Sequence, residues 1–342
     1  MSHTESSSRG VYVQTNDKSG NHLVAFARGA DGVLSAGASF PTGGAGDGLA
    51  HLTSQGSVVV AGDGGHVLVT NAGSGDVSLF AVSGAGATLL QTVATGAAPK
   101  SIAGHDGLVY VLNTGDPSLV GFRLGGGRLE LIPGSRRHLP AADPAQIGFT
   151  PDGSALVVTQ RGTDSIAVHP VGTDGTLGDA REVASSGPTP YGFAFTAAGT
   201  LVVTEAFGAA KGKAAASSYT FADGAPAPVS RSVGNGRSEI CWAVVSKDDR
   251  YVFTTNFADG AVSRYAVNGD GSLTLEDATA GLAVDGQTGL RDEGISADGR
   301  FLYAVDADSR RVFGWSVGDG GTLEQIGSWD GLPATVAGLA AV

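Results

Sequence analysis

Cysteine occurs once in the 342 residues, at Cys241, and methionine only at the first position. A lone cysteine forms no internal disulfide, and no cysteine pair stands at metal-binding spacing, so a reducing compartment is expected. The seven histidines (3, 22, 51, 66, 105, 138 and 169) show neither HExxH nor paired ligand spacing, so neither a metal nor any other cofactor is expected. Charge is also scarce, at 16% of residues, and lysine occurs only five times. With 33 acidic against 21 basic side chains the net charge is -12. The basic groups are scattered, and the field repels phosphate backbones, which excludes nucleic acid and anionic membranes as partners. No apolar run approaches the length of about 18 residues that spans a bilayer. The start, MSHTESSSRG, lacks the apolar core of a secretion signal, and a soluble cytoplasmic monomer is expected. No serine has glycine two residues away on both sides, so the nucleophile elbow is missing. Gly212-Lys213 is followed by Ala214, which is not a phosphate-binding loop. No amphipathic helix of useful length is visible.

What is abundant is glycine, 55 residues, together with 42% apolar residues. The glycines show no G-X-Y period, so the chain is globular rather than fibrous. Short β-rich runs ending in a polar residue recur seven times: VYVQTN (11–16), VLVTN (67–71), VYVLN (109–113), LVVTQ (156–160), LVVTE (201–205), VFTTN (252–256) and LYAVD (302–306). Their last residues are spaced by 55, 42, 47, 45, 51 and 50. Each run is followed by a turn and a strand of period two, such as DVSLFAV (76–82), then by a second Gly-containing turn and a fourth strand. A further strand precedes each run and closes on a hairpin, as in FTPDG (149–153) or ISADG (295–299). The unit is a four-stranded antiparallel meander. Seven such units predict an all-β, seven-bladed β-propeller. The chain ends in PATVAGLAAV (333–342), a first strand with nothing after it, while the first unit starts at its second strand. Pairing the two closes the ring. A pair of β-sandwiches explains neither the sevenfold register nor the orphan strand. The expected organisation is a disordered polar tail over 1–9 and one propeller domain over 10–342.

In such a meander the starts of the first strands and the ends of the second strands meet on one face, the top. First-strand starts supply Gln55, Lys100, Gln146, Tyr191, Glu239 and Arg291, with Asp292 and Glu293 beside the last. Second-strand ends supply Asn71, Asn113, Gln160, Glu205 and their equivalents. Asn at these ends has a ready structural role, because it hydrogen-bonds nearby backbone and tolerates turns. Glu205 departs from that pattern and opens a long turn, which makes it a candidate base or acid. Glu239 and Asp292 are acids beside an arginine at neighbouring blade starts, where Arg291 is suited to bind a carboxylate. The alternative is that these charges pair with one another. Lys100 adds a second positive point, and His51, in a glycine-rich loop leading to the top face, is the one histidine retained. Cys241 reads as a small buried hydrophobe rather than a nucleophile.

VLVTNAGSGDVSLFAV (67–82) and VFTTNFADGAVSRYAV (252–267), with FTPDG and ISADG, resemble the lactonase family of seven-bladed propellers, which includes 6-phosphogluconolactonases and carboxymuconate lactonizing enzymes. VYVLNTG, DPAQ, TPYGFAF, TEAFG and ICWAVV resemble an actinobacterial-looking branch. The resemblance covers about Gly10 to Val342. It implies Glu205 and Asp292 as site residues, whereas Arg291, Glu293 and Gln160 depart from its pattern and point to a changed substrate. Hydrolysis of a small, anionic lactone at the top of the channel, by acid/base chemistry without a metal, is the expected function. Catalytic roles fall to Glu205, Glu239, Arg291 and Asp292. Substrate contacts fall to Lys100, Gln55, Asn71, Asn113, Gln146, Tyr191, Glu293 and His51. A cyclase, isomerase or lyase using the same site, and a non-catalytic binding or scaffold propeller, are the alternatives.

Overall fold

A computed structural model describes residues 9–35, 37–49, 55–62, 64–140 and 143–342. All but the last residue of the expected polar tail over 1–9 lies outside them, as does His51.

Seven antiparallel sheets form the ring. Blade 1 consists of Gly10–Gln14, His22–Ala27 and Ala38–Pro41, with the C-terminal strand Ala337–Ala341 as its innermost member. The innermost strands of blades 2 to 7 are Val58–Val60, Pro99–His105, Pro144–Phe149, Pro190–Phe195, Ile240–Val245 and Leu290–Ile295. The second strands are buried throughout, as in Ala155–Gln160 and Leu201–Glu205, or at all but their first residue, as in Tyr251–Asn256, because a neighbouring blade covers each face of the sheet. The outer strands alternate or lie open, as in Gly86–Ala94. The chain closes its own ring: Val11, Tyr12 and Val13 pair with Ala341, Ala340 and Leu339.

The hairpins between first and second strands repeat one device. Thr150, Ser246 and Ser296 donate side-chain hydrogen bonds to Asp152, Asp248 and Asp298 at 2.7, 2.6 and 2.6 Å. The left-handed turn residue is Gly153 or Gly299, and in the one hairpin written KDD it is Asp249, at φ 60°. Glycine adopts this conformation without steric cost, and aspartate is among the few other residues that tolerate it. Between each pair of adjacent blades lies one apolar cluster, for example Phe253, Val262, Leu290 and Trp315 between blades 6 and 7. The core is therefore seven wedges, and the centre is left to other residues.

Candidate functional site

The inner strands of blades 4 to 7 share a bulge one residue below the mouth. Pro144, Pro190, Ile240 and Leu290 each pair with the last residue of the next strand, and regular pairing resumes three residues further on. The residues before them, Asp143, Thr189, Glu239 and Gly289, all have positive φ (49°, 57°, 54° and 123°). The carbonyl of each accepts a hydrogen bond from the residue just past the second strand: Arg161, Ala206, Phe257 or Ala307. The left-handed backbone at Glu239 is thus shared by all four of these blades and is not a local peculiarity. What differs is chemistry. Asp143 and Arg161 form an ion pair at 2.7 Å, and Glu239 stands beside Phe257. The first bulge residues are Ala145, Tyr191, Cys241 and Arg291, each no more than 4% exposed.

Tyr191, Cys241 and Arg291 thus form one layer. Arg161 lies over the Tyr191 ring at 5.1 Å, Tyr191 meets Trp242 edge-on at 5.7 Å, and Arg291 lies over Phe257 at 5.6 Å. The Tyr191 hydroxyl and Arg291 Nε find no hydrogen-bond partner among the described residues, and Arg291 Nη1 reaches only the Val336 carbonyl, at 3.5 Å. Burial lowers the pKa of Arg291, against the pull of Asp292, Tyr191 and Asp308. Burial raises Tyr191 and Cys241, which keeps the thiol protonated. Glu239 is raised by partial burial and then by the negative charge of Asp259.

One residue further down the inner strands, the channel is barred. The Gln55 amide crosses from blade 2 to blade 6, where it donates to the Ala243 carbonyl at 2.9 Å and accepts from the Ala243 N–H at 3.1 Å. Gln146 does the same to Phe193 of the adjacent blade, at 3.0 and 2.6 Å. Both amides satisfy inner-strand edges that have no further strand to pair with. Asp292 accepts from the Gly338 N–H at 3.1 Å, and burial pushes its pKa up to about 7. Glu293 occupies the place of Ile147, Phe193 and Ala243 in other blades. It is 4% exposed, with neither oxygen bonded among the described residues, and burial raises it well above the ordinary carboxylate.

Several expected site residues are placed otherwise. Glu205 is fully buried, and its carboxylate accepts from the Gly187 N–H at 2.8 Å, Ser217 at 2.6 Å and Ser232 at 2.7 Å. These partners belong to blade 5 and the loop before it, so the expectation of a base open to the channel is corrected. Asn71 donates to Ser78 at 2.8 Å and Asn113 to Ser118 at 3.3 Å. Both join blade strands, as Asn256 does through Ser263, so their amides serve the fold of the blade rather than standing open to the channel. Gln55 and Gln146 are bound to backbone rather than open to a ligand. Lys100 is ion-paired with Asp47 at 3.4 Å. The residue that sequence reasoning missed is Arg161, whose signal was its place directly after the Gln160 strand end. Among the described residues, no cluster of three or more His, Cys, Asp or Glu side chains is arranged to hold a metal ion, and no helix is long and apolar enough to cross a membrane. Clefts of about 560 and 530 Å³ lie at the hairpins of blades 4 and 5 and between blades 7 and 1, and no candidate residue lines them.

The family described as lactonase, 7-bladed beta-propeller, matches residues 63–206 and 203–338. No curated protein sequence matches the chain. Among solved structures, a protein of unknown function from Desulfotomaculum acetoxidans is similar over 98% of both chains at 13% identity, with a TM-score of 0.75. A candidate 6-phosphogluconolactonase from Bacteroides fragilis is similar over 100% of both chains at 20% identity and a TM-score of 0.72. The periplasmic gluconolactonase of Pseudomonas aeruginosa is similar over 78% of this chain and 82% of its own, at 22% identity and a TM-score of 0.60. The sevenfold blades, the self-closed ring and the matched residues together make this chain a member of the lactonase family of seven-bladed β-propellers.

Proposed function

We propose that the protein is a cytoplasmic, monomeric lactone hydrolase that acts on a small molecule, without a metal, at the channel mouth above the Gln55 bar. The observation that carries this reading is Arg291, a guanidinium 1% exposed, whose Nε, like the Tyr191 hydroxyl of the same layer, is unbonded among the described residues. Donors held ready in a low-dielectric layer stabilise an oxyanion as it forms. Glu239, at the rim, serves as the base that takes a proton from the attacking water. Its raised pKa strengthens it as a base once ionised.

The substrate we infer is a monoanionic lactone. Lys100 and Arg161 already hold Asp47 and Asp143, which leaves Arg291 to meet any added charge. Arg161, the outermost member of the stack with its side chain 18% exposed, must swing aside to admit it. The depth of Arg291 and the barred channel also favour a second reading, a propeller that binds at its rim without turnover. A pH-stat assay over a panel of neutral, carboxylated and phosphorylated lactones separates the two. We expect turnover to fall about 10²- to 10³-fold in Glu239→Gln and in Arg291→Met, the usual loss for one catalytic group. It should survive in Glu205→Asn. Binding with no turnover by the wild type would establish the second reading.

A further inference from the structure

A separate site lies away from the channel, between blades 3 and 4. Counted along the third strand, the fifth position is aromatic in the six other blades: Phe26, Phe80, Phe122, Tyr219, Tyr265 and Trp315. All are at most 3% exposed and fill the wedge between neighbouring blades. Blade 4 places His169 there, opposite Leu156, with Ala167 two residues before it. The position of Ala167 is held by Val24, Ser78, Val120, Ser217, Ser263 and Phe313 elsewhere. The smaller pair leaves a cleft of about 170 Å³, lined by Gln160, Ala167, His169 and Glu182 and roofed by Arg137 and Pro140.

The polar atoms of this cleft are unusually one-sided. His169 is 5% exposed, and its Nδ1 lies 3.1 Å from the Gly178 carbonyl. That contact makes Nδ1 the protonated nitrogen and leaves Nε2 as an acceptor, which has no partner among the described residues. Gln160, 1% exposed, uses its Nε2 on Ser165 and Glu182, each at 3.3 Å. Its Oε1 is also a buried acceptor without a partner among the described residues. Glu182, on an exposed position across from Ala167, accepts through Oε1 from Ser165 and Gln160, and its carboxylate brings a negative charge to the same cleft. Arg137 is spent on the Leu177 carbonyl, at 2.9 and 2.5 Å, and on Asp179 at 3.3 Å. Burial holds His169 below the ordinary histidine pKa and so keeps it neutral.

We propose that this cleft is a binding site for a small primary ammonium compound. Three acceptors and one negative charge match a compact cation with three N–H donors, whereas a wedge meant only for packing would carry the aromatic of the other blades. The apolar floor at Ala167 and the ring of Pro140 suit a short alkyl chain on that ammonium.

The test is an NMR titration of the full-length protein with ethylammonium chloride at pH 8, followed through the histidine Hε1 resonances and assigned with His169→Phe. A saturable shift of the His169 resonance is expected, with no such shift for His22, His66 or His105. Tetramethylammonium, which has the charge but no donor, should leave His169 unmoved, as should glycerol. Ala167→Phe, which installs the blade 7 residue, should abolish the shift, and Glu182→Gln should weaken binding at least tenfold while leaving the fold intact. An equal response to tetramethylammonium, a linear drift without saturation, or an unchanged response in Glu182→Gln would overturn the assignment and leave the cleft as a site for water.

Discussion

Glu205 and Glu239 both stand at blade tops, yet their surroundings give them different tasks. Glu205 is the strand-end residue of blade 5 and does with three accepted hydrogen bonds what Asn71 and Asn256 do with their amides. Glu205→Ala strands two hydroxyls and one N–H in the interior and should cost about 3 kcal/mol in urea unfolding, in the range for buried groups left unpaired. Glu205→Asn keeps a polar partner and should cost less than about 1.5 kcal/mol. The distinction was illegible in sequence because the serines that hold Glu205 lie 12 and 27 residues further on. Arg291, Asp292 and Glu293, by contrast, were legible as anomalies: charges on a strand whose equivalents read apolar. Asp292 and Glu293 bind protons more tightly folded than unfolded. Their contribution to stability is therefore full at acidic pH and declines as pH rises from the ordinary carboxylate range, for Asp292 up to its pKa of about 7. Asp292→Asn should flatten the fall in unfolding free energy between pH 4 and about 7, and an unaltered slope would show that Asp292 ionises as freely folded as unfolded.

At the scale of elements, second strands and hairpins were readable almost residue by residue. Period-two alternation, Asp-Gly turns and strand-end asparagines are local signals. The bulges of the inner strands of blades 4 to 7 were not readable, since they leave no period or turn signal in the sequence. They turn Tyr191, Cys241 and Arg291 into one layer, above the bar that Gln55 makes to Ala243. The orphan strand Ala337–Ala341 was legible from the mismatch between the two chain ends, and it pairs with Gly10–Gln14 as expected. Deleting residues 333–342 leaves blade 1 without its innermost strand and Asp292 without the Gly338 N–H. We expect the truncated chain to unfold at a lower temperature than the full-length chain. Retention of the full-length transition midpoint would mean that ring closure adds nothing.

The molecule as a whole is a closed ring whose hydrophobic core is divided among blade interfaces, so its centre is free to hold polar chemistry. That division explains why fold and site differ in legibility. Blades are written locally and repeated seven times, whereas the mouth is assembled from single residues of blades 4 to 7 that are about 45 to 51 positions apart. The seven wedges also stabilise the fold enough to tolerate a buried guanidinium whose Nε is unbonded among the described residues. The central claim is that Glu239 is the base at this mouth, and the pH profile of kcat/KM for the best lactone substrate tests it most directly. The account predicts a rise with pH governed by a group whose pKa lies above the ordinary glutamate value of 4.5, and loss of that rise in Glu239→Gln. An identical profile in wild type and Glu239→Gln would contradict it.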